Sequence, residues 1–173
     1  MSEKLVPAIV GLFGGITSAA YGKEIIIFVI SLMPILELRG GLIAASLLDV
    51  SLVRSIIICV IGNLLPIPFI LLLITKILDW MRKSKIGFIN KFAAWLDGKV
   101  EKHKGQIEKY GYLGVILFVG IPIPGTGAWT GSLIASVLEM DRKKTFLAII
   151  VGVAIACVIM SLFSFGLLAN IIG

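Results

Sequence analysis

The chain is short of charge and nearly bare of reactive chemistry. Asp, Glu, Lys and Arg supply 15% of its 173 residues, against about 25% in a soluble domain. It has two cysteines and one histidine. Cys59 and Cys157 each sit inside a long apolar run without CxxC spacing, so they read as buried free thiols, not as a zinc or redox pair. His103 stands alone in a polar stretch and is expected to face water. No nucleophile–base pair, metal-ligand spacing, GxxxxGK[ST] phosphate loop or nucleic-acid signature occurs. These absences argue against an enzyme, a bound cofactor, a disulfide scaffold and a nucleic-acid partner.

What fills the chain is apolar. Hydrophobic residues make up 58%, glycine contributes 19 residues, and the mean hydropathy is +1.08. A chain of this length cannot hide so much apolar surface from water, and lipid is its natural solvent. An all-α integral membrane protein is therefore expected.

Two segments are long and clean enough to span a bilayer. Residues 55–78 and 146–170 have 24 and 25 residues, or about 36 Å of helix each at ~1.5 Å per residue. Pro66 and Pro68 predict a kink in the first, and with Asn63 they could widen a path. Two other apolar stretches are interrupted. Residues 23–50 break at Pro34 and again at Glu37-Leu38-Arg39-Gly40-Gly41, and residues 109–138 break at Gly120–Gly127. Each arm has about a dozen apolar residues, roughly 18 Å of helix and half a bilayer. Broken backbone at membrane depth persists only where protein or a wet cavity satisfies it. Both stretches thus read as re-entrant helical hairpins that enter and leave on one side.

Charge placement orients this scheme. With the basic linker 79–108 in the cytoplasm, all of the 16 Lys and Arg fall inside except Lys23, Arg39 and Arg54. The positive-inside rule is then satisfied. The first hairpin opens outward and the second inward, which makes two inverted units: repeat 1 at 23–78 and repeat 2 at 109–173. Gly40-Gly41-Leu42-Ile43-Ala44-Ala45 resembles Gly131-Ser132-Leu133-Ile134-Ala135-Ser136 and supports the repeat. Matched Gly/Pro-interrupted segments mark the site in inverted-repeat transporters. Within the linker, Trp80, Ile86, Ile89, Phe92, Ala93, Leu96 and Val100 recur at helical spacing among lysines, as in an amphipathic helix on an anionic leaflet. Residues 1–22 read as a retained hydrophobic segment rather than a cleaved signal.

The hairpin tips carry the candidate chemistry. Glu37 and Arg39 place charge at membrane depth, where it costs at least ~2.5 kcal/mol and is usually functional. A non-helical tip beside Gly40 and Gly41 would let the two converge. Glu37 would then carry a proton or hold a cation, with Arg39 binding an anionic group; the bland reading is an ion pair that only locks the hairpin. The second tip has no charge. Half-helices starting near Gly40 and near Thr126 would aim free N–H groups at an anion. Pro124, Gly125, Thr126, Gly127, Trp129 and Thr130 would complete a backbone cradle, with tight turning and plain packing as the alternatives. Asp49 and Glu139, at the ends of the second arms, are expected to face water or act as gates.

At Pro34-Ile35-Leu36-Glu37-Leu38-Arg39-Gly40-Gly41 and Ile121-Pro122-Ile123-Pro124-Gly125-Thr126-Gly127-Ala128-Trp129-Thr130-Gly131 the chain resembles the small multi-drug export proteins of bacteria and archaea. More distantly it is similar to the DedA superfamily, also called the VTT group. That resemblance implies two facing re-entrant hairpins in a prokaryotic plasma membrane. It also implies transport or flipping of lipids such as undecaprenyl phosphate, coupled to protons. An acidic residue in the first hairpin matters there, and Glu37 matches it. Arginines near the second hairpin matter too, and here the tip has none, which leaves Arg39 as the substitute. The expected function is a transporter or lipid flippase for an anionic, phosphate-bearing amphiphile. The alternatives are an exporter of amphipathic cations, with Glu37 as counter-ion, and a non-transporting membrane scaffold. Membrane lipids, the amphiphile and protons are the expected partners, and the exposed apolar surface leaves room for a homodimer.

Overall fold

Proline and left-handed turns, more than polarity, end the helices of this chain. The structure, a computed structural model, describes residues 21–84, 86–123 and 125–167, together with Pro7, Val10 and Gly11. The N-terminal hydrophobic segment expected over 1–22 lies almost wholly outside the described residues. The described chain is helical: α1 (Gly22–Leu32), α2 (Glu37–Leu47), α3 (Leu52–Leu64), α4 (Ile67–Lys83), α5 (Gly87–Gly120), α6 (Ala128–Val137) and α7 (Arg142–Ser161). A π-helical turn, Leu162–Leu167, continues α7. No strand occurs among the described residues.

Helices α3 and α4 form one run, Leu52–Lys83, of 32 residues, jointed at Pro66, whose ring cannot donate to the ladder. The second long run, Arg142–Gly166, has 25 residues. Both exceed the ~20 residues that cross a bilayer. The outer faces suit lipid: Val53, Ile57, Ile61, Leu65, Phe69 and Leu72 are all exposed along the first run.

Two compact units divide the chain: Met1–Leu65 with Val153–Gly173, and Pro66–Gly152. In the first unit α1, α2 and α3 pack on one another. Ser46 on α2 donates from its hydroxyl to the Ser164 carbonyl at 2.9 Å. Without a hydrophobic drive between helices in lipid, such packing rests on close approach at small residues. Gly62 provides it here: a Cβ there would lie 3.0 Å from the Phe28 carbonyl oxygen and 3.0 Å from Ser31 Cβ.

In the second unit α4, α5 and α6 pack together. Arg82 on α4 clamps Asp97 on α5, with Nη2–Oδ1 at 2.6 Å and Nε–Oδ2 at 3.1 Å. Ala93, Val100 and Ile107, seven residues apart on α5, are buried, as are Leu78 and Met81 on α4. Trp80, Ile86, Phe88 and Trp95 are exposed. The single amphipathic face expected for 79–108 is thus divided: Ala93 and Val100 pack inward while Trp80 and Ile86 do not. The boundary expected at 109 falls inside the helical run α5, which bends at Gly111 (φ 56°, ψ −132°).

The same local geometry recurs ninety positions apart. Leu48, Asp49 and Val50 donate their N–H groups to Ala44, Ser46 and Ala45 at 2.9, 3.3 and 3.0 Å. Leu138, Glu139 and Met140 donate to Ile134, Ser136 and Ala135 at 2.9, 3.2 and 3.0 Å. Gly152 repeats Gly62, with a Cβ there 3.0 Å from the Ile116 carbonyl oxygen and 2.7 Å from Val119 Cβ. The geometry therefore matches Gly41 with Gly131, whereas the sequence resemblance noted above matches Gly40 with it. The hydrophobic letters align one residue away from the backbone, because Leu, Ile and Ala interchange along a helix and the turn does not.

Candidate functional site

The first hairpin turns at Pro34. Met33, ahead of it, is extended (φ −72°, ψ 134°), as a residue before proline must be, and α1 stops there. Helix α2 resumes at Glu37, three residues earlier than the start near Gly40 read from the sequence. Glu37 and Arg39 are thus in the first turn of a helix and not in a non-helical tip. An acidic residue is favoured there by the helix dipole. Glu37 is buried, 5% exposed, and Arg39 is half-buried. They still interact electrostatically.

Glu37 has a second peculiarity. Its φ is +50°, a left-handed conformation that costs a non-glycine residue roughly 1–2 kcal/mol. Its N–H donates to the Met33 carbonyl at 2.9 Å, closing the turn. Such strain at a buried charge is the kind of outlier that clusters at functional positions.

Gly40 and Gly41 are packing residues of this tip. A Cβ at Gly40 would lie 2.6 Å from Leu36 Cβ, and one at Gly41 would overlap the Ser31 hydroxyl and lie 2.7 Å from Cys59 Sγ. Ser31 gives its hydroxyl hydrogen to the Ile27 carbonyl at 2.8 Å. Cys59 and Cys157 are both free and buried.

The second tip is a compact loop. Ile121 is extended and ends α5. Ile123 N–H donates to the Ile121 carbonyl at 2.8 Å, and Thr126 N–H to the Ile123 carbonyl at 3.2 Å. The Thr126 hydroxyl faces the same two carbonyls, at 2.8 Å from Ile123 and 3.1 Å from Ile121. It staples its own loop. Gly125 (φ 89°) and Gly127 (φ 148°) take backbone angles that only glycine adopts freely. Helix α6 begins at Ala128, two residues beyond the start expected near Thr126, because Gly127 is still non-helical. Trp129 and Thr130 are half-buried in its first turn. The Trp129 carbonyl accepts from the Ser132 hydroxyl at 2.8 Å. Pro124 lies outside the described residues.

Matched positions in the two hairpins differ in polarity. Ser31 lies against both Gly41 and Gly62, and Val119 lies against both Gly131 and Gly152. Glu37 matches Gly127, Arg39 matches Trp129, and Cys59 matches Ile149. Asn63 matches Val153. The polar set belongs to the first hairpin and α3, in the first unit. Of these residues, sequence reasoning gave Ser31 and Cys59 no role and Asn63 only a loose one. The available signal was the α3 spacing of Ser55, Cys59, Gly62 and Asn63, which puts four small or polar residues on one helical face. All four are buried.

Long apolar helices with lipid-suited outer faces, small-residue packing and buried charge at a broken hairpin define a helical membrane protein. A family model described as "Putative small multi-drug export protein" matches residues 37–159, more than two thirds of the chain. The chain belongs to that family, and its match begins at Glu37. No curated protein and no solved structure matches it.

Proposed function

We propose that this protein is a multi-pass transporter of a prokaryotic plasma membrane that exports an amphiphile, with Glu37 as the residue that takes up and releases a proton. The observation that carries the reading is the state of Glu37. It is buried, ionisable and held in a left-handed backbone, while the matched position of the other hairpin is Gly127. The family's export description supports transport.

In this reading the hairpins are re-entrant, the two repeats are inverted, and 79–108 is cytoplasmic. Short arms, the recurrent geometry and the distribution of lysine and arginine support that topology, which is also that expected of a DedA-like fold. A phosphate-bearing lipid is one substrate class, supported by Arg39 and by the positive dipole ends at the starts of α2 and α6. Amphipathic cations are the second, supported by the buried carboxylate and the family description.

Proteoliposomes test both. Labelled polyprenyl phosphate and a lipophilic cation would each be followed across the bilayer, with and without a pH gradient, for wild type and Glu37→Gln. Gradient-dependent movement of either compound, lost in the variant, is expected. Gradient-dependent movement unchanged in Glu37→Gln would remove the proton role.

A further inference from the structure

We propose that Asn63, on α3 where it packs against the first hairpin, is a binding residue. Its side-chain oxygen and the Glu37 carboxylate would together receive a guest that bears both positive charge and N–H donors, a protonated amine. This deepens the export reading above and rests on it.

The first support is an unmet hydrogen bond. Asn63 is 3% exposed and its Oδ1 is fully buried without a hydrogen-bond partner. Buried acceptors are nearly always satisfied, and leaving one unmade is destabilising. The hydroxyls on neighbouring faces are committed elsewhere. Ser31 donates to the Ile27 carbonyl at 2.8 Å, and Ser55 donates to the Ser51 carbonyl at 2.9 Å. The acceptor is therefore open to a donor from outside the protein.

The second support is that packing does not require an amide. Gly62 and Gly152 make equivalent close approaches to a neighbouring helix, so Asn63 corresponds to Val153, which is also buried. Valine fills the equivalent position without a polar atom. Asparagine in its place adds a cost that shape does not explain.

The third support is placement. Helices α2 and α3 are joined by a short turn, and Gly41 meets Cys59 across them. One helical turn further from that connection, Glu37 on α2 and Asn63 on α3 stand equally far from the turn. Both therefore lie at the tip end of this helix pair, and both are buried. A carboxylate and an amide oxygen at one level are two acceptors, one of them charged. A protonated amine meets both demands; a quaternary ammonium meets only the charge, having no N–H.

The test uses the full chain in lipid nanodiscs, with empty nanodiscs subtracted. Binding of octylammonium is compared with that of octyltrimethylammonium. Wild type is expected to favour octylammonium by about tenfold, the worth of one hydrogen bond to a charged donor. Asn63→Val is expected to weaken that preference, leaving only what hydrogen bonding to Glu37 supplies, and to melt no lower than wild type. Asn63→Ala, which removes the amide without adding a branch, should show the same loss of preference. A preference undiminished in both variants overturns the role of Asn63 while leaving the export reading intact. A wild type that binds neither amine overturns this inference; if it also fails to move either substrate class in proteoliposomes, the export reading falls separately.

Discussion

Asp49 and Glu139, ninety positions apart, hold the same left-handed backbone, with φ of 54° in each. Each follows the second arm of a hairpin, and each donates its N–H back into the last turn of that helix. Glycine is the usual residue at such a terminus because it has no Cβ to clash. Asp49→Gly and Glu139→Gly should therefore each stabilise the protein by about 0.5–1 kcal/mol. The gain should be larger at Glu139, since aspartate tolerates the left-handed region better. Thermal unfolding in detergent reads the effect, and a fall in melting temperature for both would remove the strain argument.

Glycines of this chain divide by what surrounds them. Gly62 and Gly152 face neighbouring backbone carbonyl oxygens at 3.0 Å from a hypothetical Cβ, while Gly98 and Gly105 on α5 face open space. Gly62→Ala and Gly152→Ala should each cost about 1–3 kcal/mol, because overpacking forces helices apart. Gly98→Ala and Gly105→Ala should each contribute about 0.5–1 kcal/mol of stability through helix propensity alone. Opposite signs in one melting series would separate packing glycines from incidental ones.

Helix breaks and spans were legible in the sequence, and registers were not. Pro34, Pro66 and the glycines near 120–127 interrupt the apolar runs, and the backbone obeys them. The starts of α2 and α6 were misplaced because Gly40 and Thr126 look like breakers in isolation. In the structure Gly40 is helical and packed, and Thr126 ties its loop together through carbonyls that no spacing rule identifies. The linker face was misjudged for a similar reason. Periodicity shows that an apolar stripe exists on α5 but not whether α4 or lipid covers it. Glu37 was visible as a charge in an apolar run; its left-handed backbone was not, because no glycine or asparagine announced it. Asn63 was hidden because one polar residue in a spanning segment reads as a kink feature until its burial is seen.

The Thr126 hydroxyl separates loop architecture from anion binding. Its contacts to the Ile121 and Ile123 carbonyls, at 3.1 and 2.8 Å, occupy its hydrogen within the loop. Thr126→Val should then lower stability by about 1 kcal/mol, the worth of one net hydrogen bond, and Thr126→Ser should restore it. Substrate affinity, measured in nanodiscs below the melting temperature of every variant, should stay within twofold of wild type for the serine variant and for valine alike, a factor of two being well under the ~1.4 kcal/mol of a tenfold change. A large loss of affinity for a phosphate lipid at unchanged stability would instead make the hydroxyl a ligand.

Glu37 and Gly127 occupy matching positions, and their difference predicts a trade between stability and transport. Their backbones differ: Glu37 holds a left-handed φ of 50°, which disfavours glutamate, and Gly127 an extended φ of 148° with ψ −174°, open to glycine. Glu37→Gly removes both the strain and a buried carboxylate. It should melt no lower than wild type, because the roughly 1–2 kcal/mol of strain relieved exceeds the ~0.3–1 kcal/mol that the N-terminal charge on α2 contributes. Glu37→Gln keeps the side-chain shape and the strain and should melt near wild type. Both should lose gradient-driven transport by at least tenfold, because neither can exchange a proton. A glycine variant that is less stable than the glutamine variant would mean that the carboxylate's interactions outweigh its backbone strain. That result would recast Glu37 as part of the scaffold, and transport retained in either variant would do the same.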